Sequence, residues 1–332
     1  MLPKRAFRLK GFVFSLLLIY AAGTSAPQER IPRDTSFTVF GTVEKVLKQY
    51  PNARLVVPQH LDRLLVEENI PYATPGGRVL HLDIYRPKAS GRYPAVVLIH
   101  GGGWRSGDRS QGIPLAQRIA ERGYVAVTVE YRLSIEALYP AAVFDLKAAV
   151  RWLRSHSAER AIDSTKIAAL GVSAGGHLAA LLGTTIGIKR FEGDEGNRGH
   201  SSTIQAVVDI DGILDFTDPA ESGKDTISGK PSVGSYWFGG PLREKRELWS
   251  DASPLVHVDS NTAPILFINS SLARFHAGRD EMIKKLNALA IYSEVHTFPD
   301  TPHPFWLFQP WFEPTCEYAI VFLDRTLKKV PR

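Results

Sequence analysis

Two glycine-rich stretches carry the residue types that acyl-transfer chemistry needs. "GVSAGG" (171–176) places Ser173 between Gly171 and Gly175, after an apolar run and at the start of a helical one. That is the G-x-S-x-G pattern of a strand–turn–helix elbow, which pushes a serine hydroxyl into the open on a strained backbone. "HGGGWRSGD" (100–108) follows the apolar run Ala95–Ile99 and holds three consecutive glycines. Glycines discard side chains and add backbone entropy, so bare backbone is needed there. When a serine attacks an ester, the carbonyl oxygen becomes an oxyanion that pre-aimed N–H groups must reach. Gly102 and Gly103 are expected to supply two of them, and Ala174, next to the nucleophile, a third. Side chains at those glycines would block the acyl group of the substrate.

A base must take the serine proton. His303, in "FPDTPHPFW" just past the last strand-like run, sits where the chain order serine, acid, histidine expects it. His100 in the glycine loop, His177 one turn into the elbow helix and His296 inside a strand read as structural.

These groups need a rigid frame, and the apolar pattern supplies one. "VLHLDIY" (79–85) alternates like an outer antiparallel strand. Continuous apolar runs follow at Ala95–Ile99, Tyr124–Val129, Lys166–Leu170, Gln205–Ile210, Pro264–Ile268 and Ser293–Phe298. Helical periods lie between most of them: Ile113–Arg122, Ala141–His156, Gly278–Ala290 and, last, Cys316–Lys328. Strands buried on both faces and alternating with helices predict an α/β fold with a mostly parallel, doubly wound sheet. Excursions at about 189–202 and 214–255 interrupt it, the second as a cap-like insertion. Residues 27–72 read as a largely irregular extension with one helical stretch near Val43–Tyr50, and 73–332 as the catalytic domain.

The first 26 residues read as an export signal. Lys4, Arg5, Arg8 and Lys10 precede an apolar stretch from Phe12 to Ala22, which is short of the roughly 20 residues a bilayer span needs. A periplasmic or secreted protein with no stable membrane insertion is the expectation, and it also accounts for the charge. The formal +6 falls to +2 without those four basic residues, and no basic cluster with interleaved aromatics remains for nucleic acid. Cys316 is the single cysteine, so no internal disulfide forms. No metal-ligand spacing, phosphate loop or cofactor fingerprint is present, and neither metal nor cofactor is expected.

Taken together, "HGGGW", "YRLS" (131–134), "YPAAVFDLKAAVRWL" (139–153), "GVSAGGHLA" (171–179) and the terminal histidine resemble the α/β-hydrolase family. Within it the chain is similar to the hormone-sensitive-lipase-like and bacterial carbohydrate-esterase branch, of the acetylxylan-esterase and pectin-acetylesterase type. The resemblance implies an α/β-hydrolase fold and removal of acetyl groups from plant cell-wall polysaccharide. It also implies an acid after the penultimate strand, but that place falls on Ala273. Asp280, opening the next helix, is the expected substitute, with Asp300, Asp211 and Asp215 as alternatives and a Ser–His pair without a fixed acid as another. The same loop offers Arg274 and Arg279, whose guanidinium groups would suit a uronate carboxylate. Trp237, with Trp104 and Trp306, is expected to offer flat faces to sugar rings. The expected function is thus an exported serine carboxylesterase acting on an esterified polysaccharide or oligosaccharide. Feruloyl, short-chain lipid or other carboxylic esters are the alternatives on the same machinery, and an inactive carbohydrate-binding hydrolase fold is the alternative of a different class.

Overall fold

Strand β4 (Tyr93–Ile99) shows why the sheet is covered on both faces. Ala95, Val97 and Ile99 enter one apolar core while Val96 and Leu98 enter the other, all of them buried. Successive strand residues point to opposite faces, so a run without polar positions needs helices above and below. In this computed structural model, which describes residue 1 and residues 34–223 and 230–328, eight strands form the main sheet. Their order is β2 (Leu64–Ala73), β3 (Leu80–Pro87), β5 (Val125–Val129), β4, β6 (Ile162–Val172), β7 (Ala206–Ile210), β8 (Ile265–Asn269) and β9 (Ser293–Thr297). The β2–β3 and β3–β5 pairings are antiparallel, and every pairing from β5 to β9 is parallel.

Helices α2 (Ile113–Glu121) and α9 (Phe312–Leu327) bury their apolar sides on one face of this sheet. On the other lie α3 (Ala141–Ser155), α4 (Ala174–Thr184) and α8 (Arg279–Ala288). The insertion between β7 and β8 carries α5 (Pro219–Ser222), α6 (Val233–Phe238) and α7 (Leu242–Asp251). Parallel register sets the active end of the sheet. Ile99 pairs with Gly171, Val172 with Ile210, and Ile210 with Ile268, so the residues that follow β4, β6, β7 and β8 emerge side by side.

The expected boundary at residue 73 is corrected. Strand β2 begins at Leu64, inside the stretch read as extension, and is the edge strand of the sheet. Half of its residues are exposed, Pro71 lies within it, and its pairing with β3 shifts register twice. An exposed, bulged edge strand shows no apolar alternation, which is why sequence periodicity passes over it. The chain before it also pairs with the segment that follows His303. Helix α1 (Val39–Gln49) leads to β1 (Arg54–Leu55), which forms a two-stranded ladder with β10 (Phe308–Gln309). The Val56 N–H donates to the Leu307 carbonyl at 2.9 Å, and the Tyr50 hydroxyl to Asp300 Oδ1 at 3.0 Å. Both ends of the loop that bears His303 are therefore tied to the N-terminal segment. The stretch expected to be an export signal lies outside the described residues.

Candidate active site

Ser173 follows β6 in a conformation that few non-glycine residues adopt, with φ 54° and ψ −122°. Gly171 and Gly175 make this turn possible, since a Cβ on Gly171 would lie 1.9 Å from the Gly175 carbonyl oxygen. The Ser173 N–H donates to the Ile210 carbonyl at 2.7 Å, which pins the elbow to the end of β7. The Ser173 hydroxyl is 2.9 Å from His303 Nε2, and His303 Nδ1 is 2.9 Å from Asp211 Oδ2. The Asp211 carboxylate is fully buried, and its Oδ1 accepts the Ser270 N–H at 2.7 Å. An acceptor at Nδ1 fixes the proton there, leaving the Nε2 lone pair for the Ser173 hydroxyl. The imidazole is held flat by Phe275, stacked at 3.8 Å between centroids, and meets the Trp306 ring edge-on at 5.0 Å. Such a chain can take a proton from Ser173 as its oxygen attacks a carbonyl.

The expected acid is corrected by this geometry. Asp280 lies at the start of α8 with an exposed side chain that pairs with Arg279, and Asp211 bonds His303 in its place. A carboxylate in the first turn of a helix faces the positive end of the dipole, which explains Asp280 without any catalytic role. Asp300 is taken by Tyr50, and Asp215 accepts the Thr217 N–H at 2.8 Å. The usable signal was "DIDG" (209–212), a strand end whose two acids flank one apolar residue before a glycine.

The glycine loop folds back on itself. The Gly102 carbonyl accepts N–H groups from Arg105 and Ser106, and a Cβ on Gly102 would lie 2.1 Å from the Ser106 carbonyl oxygen. Glycine at 102 is therefore required by the loop's own closure, a nearer reason than the acyl-group clearance expected from the sequence. A Cβ on Gly103 would lie 3.0 Å from Val233 on α6. The N–H groups of Gly102, Gly103 and Ala174 have no acceptor among the described residues. Ala174 also opens α4, where the helix dipole favours negative charge.

The other expected substrate contacts sit differently. Trp104 and Trp237 stack on each other at 5.0 Å and are both buried, together with Phe216, Phe238 and Trp249. Trp237 is fully enclosed and offers no face to a sugar, so its expected role as a platform is withdrawn. The Trp104 indole N–H donates to His177 Nδ1 at 3.1 Å, and His177 Nε2–H donates to the Ala252 carbonyl at 2.8 Å. Burial pulls His177 down to about 4, so its ring is the neutral strut this network needs. Arg274 makes a two-pronged ion pair with the buried Glu221. Arg279 is held by Asn269 Oδ1 and Asp280 Oδ1. Each arginine is already engaged, Arg274 with a carboxylate of the insertion and Arg279 with the end of β8 and its own helix, so neither is left as an unpaired cation for a uronate. Trp306 is buried as well and serves as a wall of the histidine. Among the described residues no group of three or more His, Cys, Asp or Glu side chains converges on a metal-sized site.

A second carboxylate lies two residues before Asp211. Burial, opposed by the Gly212 N–H and reinforced by the charge of Asp211, pushes Asp209 up to about 7. Unfolded, it would titrate near 3.8. Below that value both states hold the proton, and the group costs no stability. As the pH rises from about 4 to about 7 the folded state alone retains the proton, so stability falls and the loss is complete above the folded value. Asp209→Asn is thus expected to melt above the wild type at about pH 8 and close to it at about pH 4.5. Melting curves at the two pH values check this, and an equal gap at both would disprove it.

Comparison with known proteins agrees with this architecture. Residues 82–286 match the BD-FAE family. The probable carboxylic ester hydrolase LipM of Mycobacterium tuberculosis is 30% identical over 239 residues, 69% of this chain and 54% of that protein. The chain spans about half the length of the curated relatives it matches. A truncated carbohydrate esterase from gut microbiota superimposes with a TM-score of 0.69 at 24% identity, over 82% of this chain and 99% of that one. A thermophilic esterase of Thermogutta terrifontis, solved with propionate, does so at 0.65 and 26% identity, over 82% and 98%.

Proposed function

The chain belongs to the BD-FAE family and has the α/β-hydrolase fold, and from that premise we propose that it is a serine carboxylesterase. The observation that carries this reading is the continuous path from Ser173 through His303 to the buried Asp211, beside three N–H groups without an acceptor among the described residues. Ser173 Oγ attacks the ester carbonyl while His303 Nε2 takes its proton. The oxyanion settles against the Gly102, Gly103 and Ala174 N–H groups, Asp211 stabilises the imidazolium, and the proton passes to the departing alcohol. Water then adds to the acyl-enzyme by the same route in reverse, releasing the acid.

The substrate we propose is an acetyl ester on a plant cell-wall polysaccharide such as xylan or pectin. The motif resemblance to the carbohydrate-esterase branch and the structural likeness to a carbohydrate esterase from gut microbiota support it. So does Tyr236 on α6, a half-exposed aromatic ring with the Arg105 guanidinium 4.0 Å from its centre, on the helix whose Val233 borders Gly103. Acetate release from acetylated xylan and acetylated pectin, set against 4-nitrophenyl butyrate and a feruloylated arabinoxylan, tests the assignment. Polysaccharide turnover well above that of the simple ester is the expected result. Turnover of the simple ester alone would reassign the enzyme to small carboxylic esters. Export to the periplasm or beyond is proposed with it, supported by the basic and apolar pattern of residues 1–26. Fractionation of cells producing a tagged full-length chain tests that part.

A further inference from the structure

Asp209 stands outside the proton path, yet the turn that carries Asp211 is built around it. Its Oδ1 accepts the Gly212 N–H at 2.8 Å, closing residues 209–212 into a turn. That oxygen occupies a nook between two glycines, where a Cβ on Gly176 would lie 2.3 Å from it and a Cβ on Gly212 2.2 Å. Inside the turn, the Ile210 carbonyl holds the Ser173 N–H and the Asp211 N–H donates to the Ile268 carbonyl. Asp211 itself has φ 53°, a left-handed conformation that a non-glycine residue keeps only when its surroundings enforce it.

We propose that Asp209 is a positioning residue whose side-chain acceptor on the Gly212 N–H holds Asp211 in the left-handed conformation that aims Oδ2 at His303. Three observations converge on this. The Asp209 side chain is buried and its Oδ2 has no hydrogen-bond partner among the described residues, an arrangement that is unfavourable unless the other oxygen does something specific. Two separate segments, the elbow helix and the β7 turn, present glycine where any side chain would displace that oxygen. The enforced residue is the one that meets His303. Without the acceptor, the Gly212 N–H is left unpaired in the interior and φ at 211 is free to return to the extended region. Successive extended residues point to opposite faces, so the carboxylate would swing away from the imidazole. Asp209 acts as a hydrogen-bond acceptor and its charge is dispensable.

The inference rests on the Ser173–His303–Asp211 reading, and its test separates the two. Steady-state kinetics on 4-nitrophenyl acetate are measured for the wild type, Asp209→Asn, Asp209→Ala and Ser173→Ala, with melting curves for each. The Nδ1 proton of His303 is followed by NMR in the downfield region. Asp209→Asn, whose amide oxygen can face Gly212, is expected to stay within about threefold of the wild-type kcat, and Asp209→Ala to lose ~10- to 100-fold with KM nearly unchanged. The Nδ1 proton signal should be retained in the asparagine variant and shifted or lost in the alanine variant. Wild-type kcat and an unmoved signal in Asp209→Ala overturn the proposal. So does an asparagine variant as poor as the alanine one, which would assign the effect to charge, or a defect confined to KM. If Asp209→Ala does not fold, Asp209→Val carries the same comparison, because it partly fills the nook and offers the Gly212 N–H no acceptor. Activity surviving in Ser173→Ala would instead sink the serine-esterase reading, whatever Asp209 does.

Discussion

Ser173→Ala is expected to lose at least ~10³-fold in kcat on 4-nitrophenyl acetate while melting at nearly the wild-type temperature. The loss is chemical because Ser173 Oγ is the hydroxyl that meets His303 Nε2. The fold survives because alanine at φ 54° bears the same backbone strain as serine, and the Ile210 carbonyl still receives the residue's N–H. What turnover is left comes from the Gly102, Gly103 and Ala174 N–H groups acting on water's own attack. His303→Ala should approach the same level, and the double variant should be little worse than either, since the pair acts as a unit. Near-normal turnover by Ser173→Ala, or losses that multiply in the double variant, would refute the mechanism.

The elbow and the glycine loop could be read from the chain because their signals are local. A serine forced into φ 54° needs glycines within two residues, and "GVSAGG" states that need in six letters. The two-faced core of β4 was equally plain, since an unbroken apolar run has few other uses. The acid was different, because its identity is a matter of register. Ile210 pairs with both Val172 and Ile268, so Asp211 emerges between the elbow and the β8 loop, and a left-handed turn aims it at His303. No spacing in the sequence expresses that pairing, and Asp280 attracted attention by being close to Ala273 along the chain. Trp237 failed for a related reason. Whether an indole offers its face to solvent depends on what stacks on it, and here Trp104, more than a hundred residues earlier, does. Arg274 and Arg279 looked available only because their acceptors, Glu221 and Asn269, are distant from them in sequence or buried in the strand end.

Asp211→Asn is expected to lower kcat by about 10³-fold, where Asp280→Asn stays within about twofold. The argument is a count of acceptors. Two donors converge on the Asp211 carboxylate: the Ser270 N–H on Oδ1 and the His303 Nδ1–H on Oδ2. Asparagine has one acceptor oxygen and one NH₂ group, so it can satisfy only one of these donors. The Ser270 N–H belongs to the backbone and cannot give up its proton, whereas the imidazole can move its own to the other nitrogen. The amide oxygen therefore stays with Ser270, the NH₂ faces His303, and the ring answers by accepting at Nδ1 and carrying its proton on Nε2. That tautomer presents an N–H to the Ser173 hydroxyl and has no lone pair with which to take its proton. Asp280, exposed and paired with Arg279, has no such role to lose. Parallel kcat measurements on the two variants decide the matter, with melting curves to exclude unfolding. A wild-type rate for Asp211→Asn beside a collapsed rate for Asp280→Asn would return the acid to α8. Wild-type rates in both would leave Ser173 and His303 working as a pair.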